Sequence, residues 1–302
     1  MNRRKIVLGA VLTLSLATPA LAADYTLSVE PNYPPAQAQQ VYKPLLDYLG
    51  KSTGHRFILK PAANYHVYWR DLRTGVKVDF AFGEAHLTEY RINRQNFVPL
   101  ARVAESTHFV LLADASREGG GTNGLIGDRI VSMSSPSMGN LLLGELYPNP
   151  LAQPEIQSVA QTWRDGVEMV FAGETDAAMV PNYIAREYPN LVALHTSRDF
   201  AARAFSAAPT VPADVRKKVA DALLRLHRDS SLNEVLVELG TTQFVPANTS
   251  EYAGSERLLR GVFGYVPLAP RPAAPAAAPA KPAAAPAKPT TAPAKKPAAN
   301  LR

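Results

Sequence analysis

Cysteine is absent from all 302 residues. That excludes disulfide bracing, thiolate metal centres, cysteine nucleophiles and a lipidated N-terminal cysteine. A one-signed charge is missing from the body of the chain. The formal net charge is +6, but Arg3, Arg4 and Lys5 and the six basic side chains after Pro267 account for it, leaving 23 basic against 26 acidic residues between them. A basic nucleic-acid groove over the whole body is therefore excluded. Motifs of catalysis are also lacking. The six histidines (His55, His66, His86, His108, His195, His227) form no HExxH pattern, and there is no Gly-x-Ser-x-Gly and no Gly-Lys-Ser/Thr phosphate loop. No acid dyad or Ser-His-Asp set is recognisable. Neither a metal nor a cofactor is expected, and the chain reads as a non-enzyme. Beyond residue 22 no apolar run reaches the ~18 residues of a membrane-spanning helix.

What is present falls into three parts. Asn2-Arg3-Arg4-Lys5 precedes an apolar run that closes on Ala20-Leu21-Ala22. This is the pattern of a cleaved secretory signal over residues 1–23, with the mature chain starting at Ala23 or Asp24. A periplasmic, non-lipidated protein is expected. At the other end, residues 266–302 hold ten of the 26 prolines among alanines and lysines. Proline at this density favours extended polyproline II over helix or sheet. The segment reads as a disordered basic tail, either inert or an electrostatic tether to anionic envelope polymer or lipid headgroups.

Between these ends the chain is apolar enough to build one large core or two smaller ones. Strand-like and helix-like segments alternate. Strands are expected at 25–30, 56–61, 78–82, 97–101 and 108–113, with helices at 36–52, 65–74 and 85–93 between the first four. After the glycine-rich loop 118–124, a second unit alternates strands at 129–133, 156–159, 177–180 and 191–194 with helices at 137–147, 162–172 and 182–188. The chain returns through 204–208 to an amphipathic helix ending near His227, carrying Val215, Val219, Leu223 and Leu226 on one face. Helices 233–239 and 250–262 follow. This pattern predicts an α/β fold of two lobes. Lobe 1 is discontinuous, residues 24–113 plus 205–265, and lobe 2 is inserted as 114–204. Two chain crossings, near Ala113 and Ala204, make a two-strand hinge with a ligand cleft between the lobes, an arrangement suited to trapping a ligand.

Ligands of open α/β sheets sit at strand carboxyl ends and helix N-termini. That rule selects Asn32 and Tyr33 after the first strand, Asn64 and Tyr65 at the next helix start, and Gly83, Glu84 and His86 after Phe82. In lobe 2 it selects Ser134, Ser135, Ser137, Met138, Gly139 and Asn140, then Pro181, Asn182 and Tyr183. The serine-rich turn gathers hydroxyls and free N–H groups where a helix dipole favours an anion. Serines before a helix are equally ordinary N-caps. Arg198, Asp199 and Arg203 lie near the second crossing, where an arginine can clamp an oxyanion or simply be one of a solvated charge cluster.

The stretch YKPLLDYLGKSTGHRFILKPAANYHVYWRDLRTGVKVDFAFGEAH resembles the first lobe of the phosphate/phosphite/phosphonate-binding proteins of ABC importers, the PhnD-like group. The amphipathic helix opening on Val211-Pro212 and the helix ending at Gly240 fit the same pattern. The resemblance implies a type II periplasmic binding-protein fold that closes on its ligand without catalysis. It matches Tyr65 to a tyrosine lining the site, and Ser137 to the turn that grips the oxyanion. This sequence departs from the group at Pro136 and Met138, where hydroxyls are usual, and at Phe82, where a tyrosine can contact ligand. It also departs near Arg203, where an acid holds an aminoalkyl group.

The expected ligand-binding set is Tyr33, Tyr65, His86, Ser135, Ser137, Gly139, Asn182 and Arg203. The expected function is capture of a small oxyanion by a monomer that delivers it to an ABC permease. The alternative is a sensing or interaction module of the envelope, tethered by the tail and presented to a membrane sensor.

Overall fold

The computed structural model describes residues 22–268. The expected signal segment, apart from residues 22–23, and the basic tail, apart from residues 266–268, lie outside the described residues.

Strand β1 (Asp24–Val29) sits between two parallel partners, β2 (Arg56–Lys60) and β3 (Phe80–Gly83). Parallel neighbours require crossovers. Helices α1 (Pro35–Thr53) and α2 (Tyr65–Arg73) supply them. Helix α1 starts on a proline whose missing N–H costs nothing there, and buries Tyr42, Leu45, Leu46 and Leu49 along one face. It ends at Gly54, which takes the left-handed conformation (φ 77°). Helix α3 (Ala85–Gln95) leads to β4 (Val98–Val103).

The chain then enters the second sheet. Its elements are β5 (Phe109–Ala113), β6 (Arg129–Val131), α4 (Met138–Leu146), β7 (Glu155–Gln157), α5 (Trp163–Phe171), β8 (Ala177–Pro181), α6 (Asn182–Ala185) and β9 (Val192–Thr196). It returns through β10 (Ala204–Ala207), α7 (Ala213–Arg225), α8 (Asn233–Glu238) and β11 (Phe244–Pro246). The strand orders are β11-β4-β10-β3-β1-β2 and β7-β6-β8-β5-β9. Both sheets are mixed: β10 runs antiparallel to β3 and β4, and β5 antiparallel to β8 and β9. Each sheet has its own apolar core, around Leu27, Leu45, Phe80 and Phe205 in lobe 1 and around Phe109, Leu111, Ile130 and Met179 in lobe 2.

The first crossing lies earlier than the sequence placed it. Phe109–Ala113 is buried at every position and lies inside the second sheet, so lobe 1 stops at β4. The two crossings touch at Thr107 and Phe200, which exchange backbone hydrogen bonds of 3.3 and 2.8 Å. Two helices are also shorter than expected. Helix 182–188 reduces to α6, and 250–262 becomes two 3₁₀ turns, Thr249–Tyr252 and Ser255–Leu259, parted by Gly254 at φ 88°. The second of these turns packs on α3, whose Glu89 accepts from the N–H groups of Gly254 and Glu256.

Candidate functional site

A cavity of about 370 Å³ lies between the lobes. Lobe 1 contributes Pro31, Tyr33, Pro34 and Pro35 from the β1–α1 turn, and Ala63, Asn64 and Tyr65 from the β2–α2 junction. Lobe 2 contributes Met133 and Ser134 after β6, and Ser158 through Gln161 after β7. All four segments follow strand carboxyl ends, and each leads into a helix: α1, α2, α4 or α5. The caps that start three of these helices are built from the sequence. Asn64 accepts from the Val67 N–H (2.9 Å), Ser137 from Asn140 (3.3 Å) and Thr162 from Asp165 (3.0 Å). No lining residue carries a charged side chain.

The charges lie behind this wall. Tyr65 is 1% exposed, and its hydroxyl reaches Glu30 (3.0 Å) and Asn32 (2.7 Å). Glu30 also accepts from the Glu84 N–H at 2.6 Å. A Cβ on Gly83 would stand 2.6 Å from the Glu30 carboxylate, so a bare backbone is needed there. Glu84 approaches Arg203, with Oε1 3.9 Å from Nε. Arg203 donates to the Leu239 carbonyl and stacks on Tyr183 at 4.3 Å and Phe82 at 5.4 Å. Glu30, Glu84 and Arg203 are each at most 5% exposed. Two carboxyls and one guanidinium are neutral together only when one carboxyl holds a proton.

Burial accordingly raises both carboxyl pKa values, Glu30 to about 7 and Glu84 to about 8, against the opposing pull of Arg203. A carboxyl whose folded pKa is raised contributes stability that is complete below its unfolded value and is lost as pH climbs through the folded one. His86 behaves in the opposite sense. Burial lowers it to about 4, so its contribution is lost as pH falls from 6.5 toward that value. Glu105 and Glu238, lowered by hydrogen-bond partners despite their burial, add to the acid-side loss. Stability in urea should therefore peak in the mildly acid range, about pH 5–6. Glu84→Gln should flatten the decline between pH 6 and 8, and an unaltered decline would dissociate it from this cluster.

Side chains also join the lobes around the cavity. Arg164 of α5 donates to Glu238 of α8 at 2.8 Å while holding Glu187 of its own lobe at 2.8 and 2.9 Å. Glu238 accepts from Tyr33 as well. His86, fully buried, sets Nε2 2.9 Å from the Pro136 carbonyl. A carbonyl only accepts, so the neutral ring carries its proton on Nε2.

The sequence pattern of the family "ABC transporter, phosphonate, periplasmic substrate-binding protein" matches residues 27–252. The chain belongs to this family. As a member it is a periplasmic solute-binding protein of the PhnD type, a class that works with a small ligand and an ABC permease. No curated protein is similar enough in sequence to match it. Solved structures share its fold. PhnD1 from Prochlorococcus marinus (MIT 9301), in complex with methylphosphonate, is 14% identical, with TM-score 0.65 over 79% of this chain and 97% of that one. A binding-protein component of an ABC phosphonate transporter from Pseudomonas aeruginosa is 12% identical, with TM-score 0.65 over 78% and 85%. A Xanthomonas citri protein bound to ATP is 16% identical, with TM-score 0.60 over 79% and 99%.

In this binding protein, Tyr33 and Tyr65 line the interlobe cavity. The other six expected residues lie elsewhere. Ser137 is fully buried, its hydroxyl donating to Met133 O (2.7 Å) while it caps α4. Gly139 gives close passage to Ser132 and Trp163, whose atoms would stand 2.7 and 3.2 Å from a Cβ. His86 packs behind Pro136, and Arg203 belongs to the buried charge cluster. Asn182 donates to the Ser106 carbonyl near the hinge at 3.1 Å. Ser135 faces an open groove between α4 and Arg257 and Arg260. Ser158 and Gln161 were missed. The strand expected at 156–159 ends at Gln157, so Ser158 falls after it, where the strand-end rule applies, rather than inside it.

Proposed function

We propose that the binding protein captures a small oxyanion of the phosphonate or phosphate type in the interlobe cavity and delivers it to the permease without altering it. One observation carries this reading: the starts of α1 and α2 and the turns leading into α4 and α5 meet around a cavity with no carboxylate in its lining. Unsatisfied N–H groups and the positive ends of helix dipoles favour negative charge. The hydroxyls of Ser134 and Ser158 and the amides of Asn64 and Gln161 add neutral donors. The methylphosphonate held by the Prochlorococcus protein supports the same ligand class. Export by a cleaved signal and a monomeric state accompany this proposal.

The test is thermal unfolding of the mature protein with methylphosphonate, aminoethylphosphonate, phosphate, phosphite and sulfate. A ligand at 100 times its Kd adds about 2.7 kcal/mol and raises Tm by several degrees. The Ser134→Ala/Ser158→Ala double variant should lose about 1–3 kcal/mol of that binding. An equal Tm with all five anions would reject the oxyanion reading.

A further inference from the structure

Lobe 1 contains a second cavity, of about 270 Å³, that shares no lining residue with the interlobe one. The two linings meet at the Ala62–Ala63 peptide bond, and Tyr65 and Tyr68, one in each wall, have ring centroids 6.5 Å apart. Its depth is formed by Ser28 of β1, Tyr68 and Leu72 of α2, and Arg91 of α3. Val76 and Val78 form an apolar side, and the exposed Lys60 and Lys77 stand at its edge.

Arg91 is 4% exposed, yet every side chain it hydrogen-bonds or stacks on is neutral, and the one carboxyl in its field, Glu30, makes no ion pair with it. Nη1 donates to the Gln95 side chain at 3.0 Å, and Nη2 makes a long contact of 3.4 Å to the Ser28 hydroxyl. Nε has no hydrogen-bond partner. The guanidinium lies over Phe97 at 5.1 Å and Tyr68 at 5.9 Å. Among the described residues, no carboxylate forms an ion pair with Arg91, Lys60 or Lys77. Asp71 also lines the cavity, but Arg70 holds its carboxylate at 2.7 Å. The contrast with Arg203 is direct. At the same burial, Arg203 has Glu84 within 3.9 Å and Glu30 beside it. A guanidinium cannot shed its proton to escape burial, and Glu30, the carboxyl in its field, also faces Arg203, so an anion from outside supplies the direct countercharge that Arg91 lacks.

We propose that this cavity is a second binding site, for a small carboxylate with a short apolar body. The unused Nε–H and the weakly engaged Nη2 form the side-on fork that grips a carboxylate bidentately. Leu72, Val76 and Val78 receive the apolar body, and Lys60 and Lys77 draw the anion in. A phosphate would satisfy the arginine but leave the apolar wall without a partner.

Calorimetric titration of the mature protein with butyrate, and of its Ser134→Trp variant with butyrate and with inorganic phosphate, tests this. One butyrate should bind per chain, more tightly than phosphate does at this site. Arg91→Met should weaken butyrate at least tenfold, and Ser134→Trp, which fills the interlobe cavity, should leave it unchanged. Lys60→Ala/Lys77→Ala changes only exposed groups, so it reads the site even if Arg91→Met fails to fold. It should weaken butyrate about three- to tenfold at low ionic strength, with a smaller effect at high salt. No butyrate binding, binding lost in Ser134→Trp, binding unaffected by the lysine pair, or a preference for phosphate would each overturn the proposal. The interlobe oxyanion reading stands or falls separately, on the Ser134/Ser158 variant.

Discussion

Arg203→Met should destabilise the protein by about 3–5 kcal/mol at pH 8, because it removes the cation closest to two buried carboxyls. Methionine fills similar space, so the loss measures charge more than volume. The lost stacking on Tyr183 and Phe82 contributes a smaller part. The deficit should shrink toward pH 5, where Glu30 and Glu84 take up protons and no longer need compensation. Adding Glu84→Gln to Arg203→Met should recover part of the loss at pH 8. Urea unfolding of the single and double variants at both pH values decides the matter. A pH-independent loss under about 1 kcal/mol would show the cluster to be solvated rather than buried.

A second large effect is expected from Gly240→Ala. Gly240 holds φ at 60°, and a Cβ there would overlap the ring of Tyr183. Left-handed backbone costs alanine about 1–2 kcal/mol, and overpacking adds about 1–3 kcal/mol. Gly240 follows α8 in lobe 1, whereas Tyr183 lies in α6 of lobe 2. The overlap is thus relieved by parting the lobes without breaking either core. The variant should show a larger radius of gyration in X-ray scattering and weaker ligand binding, with a smaller fall in urea midpoint than Arg203→Met gives. An unchanged scattering profile with a strongly lowered midpoint would mean that the lobes are welded rather than hinged.

The two-lobe α/β plan was legible because amphipathic helices and short apolar strands alternate along the chain. The position of the first crossing was not. Phe109–Ala113 reads as a buried strand in either sheet, and only pairing with β8 and β9 assigns it. The cavity was half legible. Tyr33 and Tyr65 follow long, clear strands, whereas Ser158 and Gln161 follow a three-residue strand at the sheet edge. Ser137 illustrates a local ambiguity: capping and ligand binding ask for the same residue at the same place, and here the hydroxyl is spent on Met133 and Asn140. Arg203 reads as a clamp for an oxyanion, but its actual neighbours, Glu30 and Glu84, directly follow β1 and β3, far away in the chain. Nothing in local sequence announces a neutralised charge triad assembled across a sheet.

The order of the strands has a consequence for how the chain matures. Lobe 2 is contiguous from β5 to β9, so all of its sheet is available once residue 196 has emerged. Lobe 1 is not. Its β10 joins β3 to β4, and until Ala207 is in place β1–β3 and β4 have no bond between them. During vectorial synthesis or export the inserted lobe can close while its host waits, and the host pays the longer loop-closure entropy across the whole insertion. Completion of the binding cleft is thereby timed by the last third of the chain.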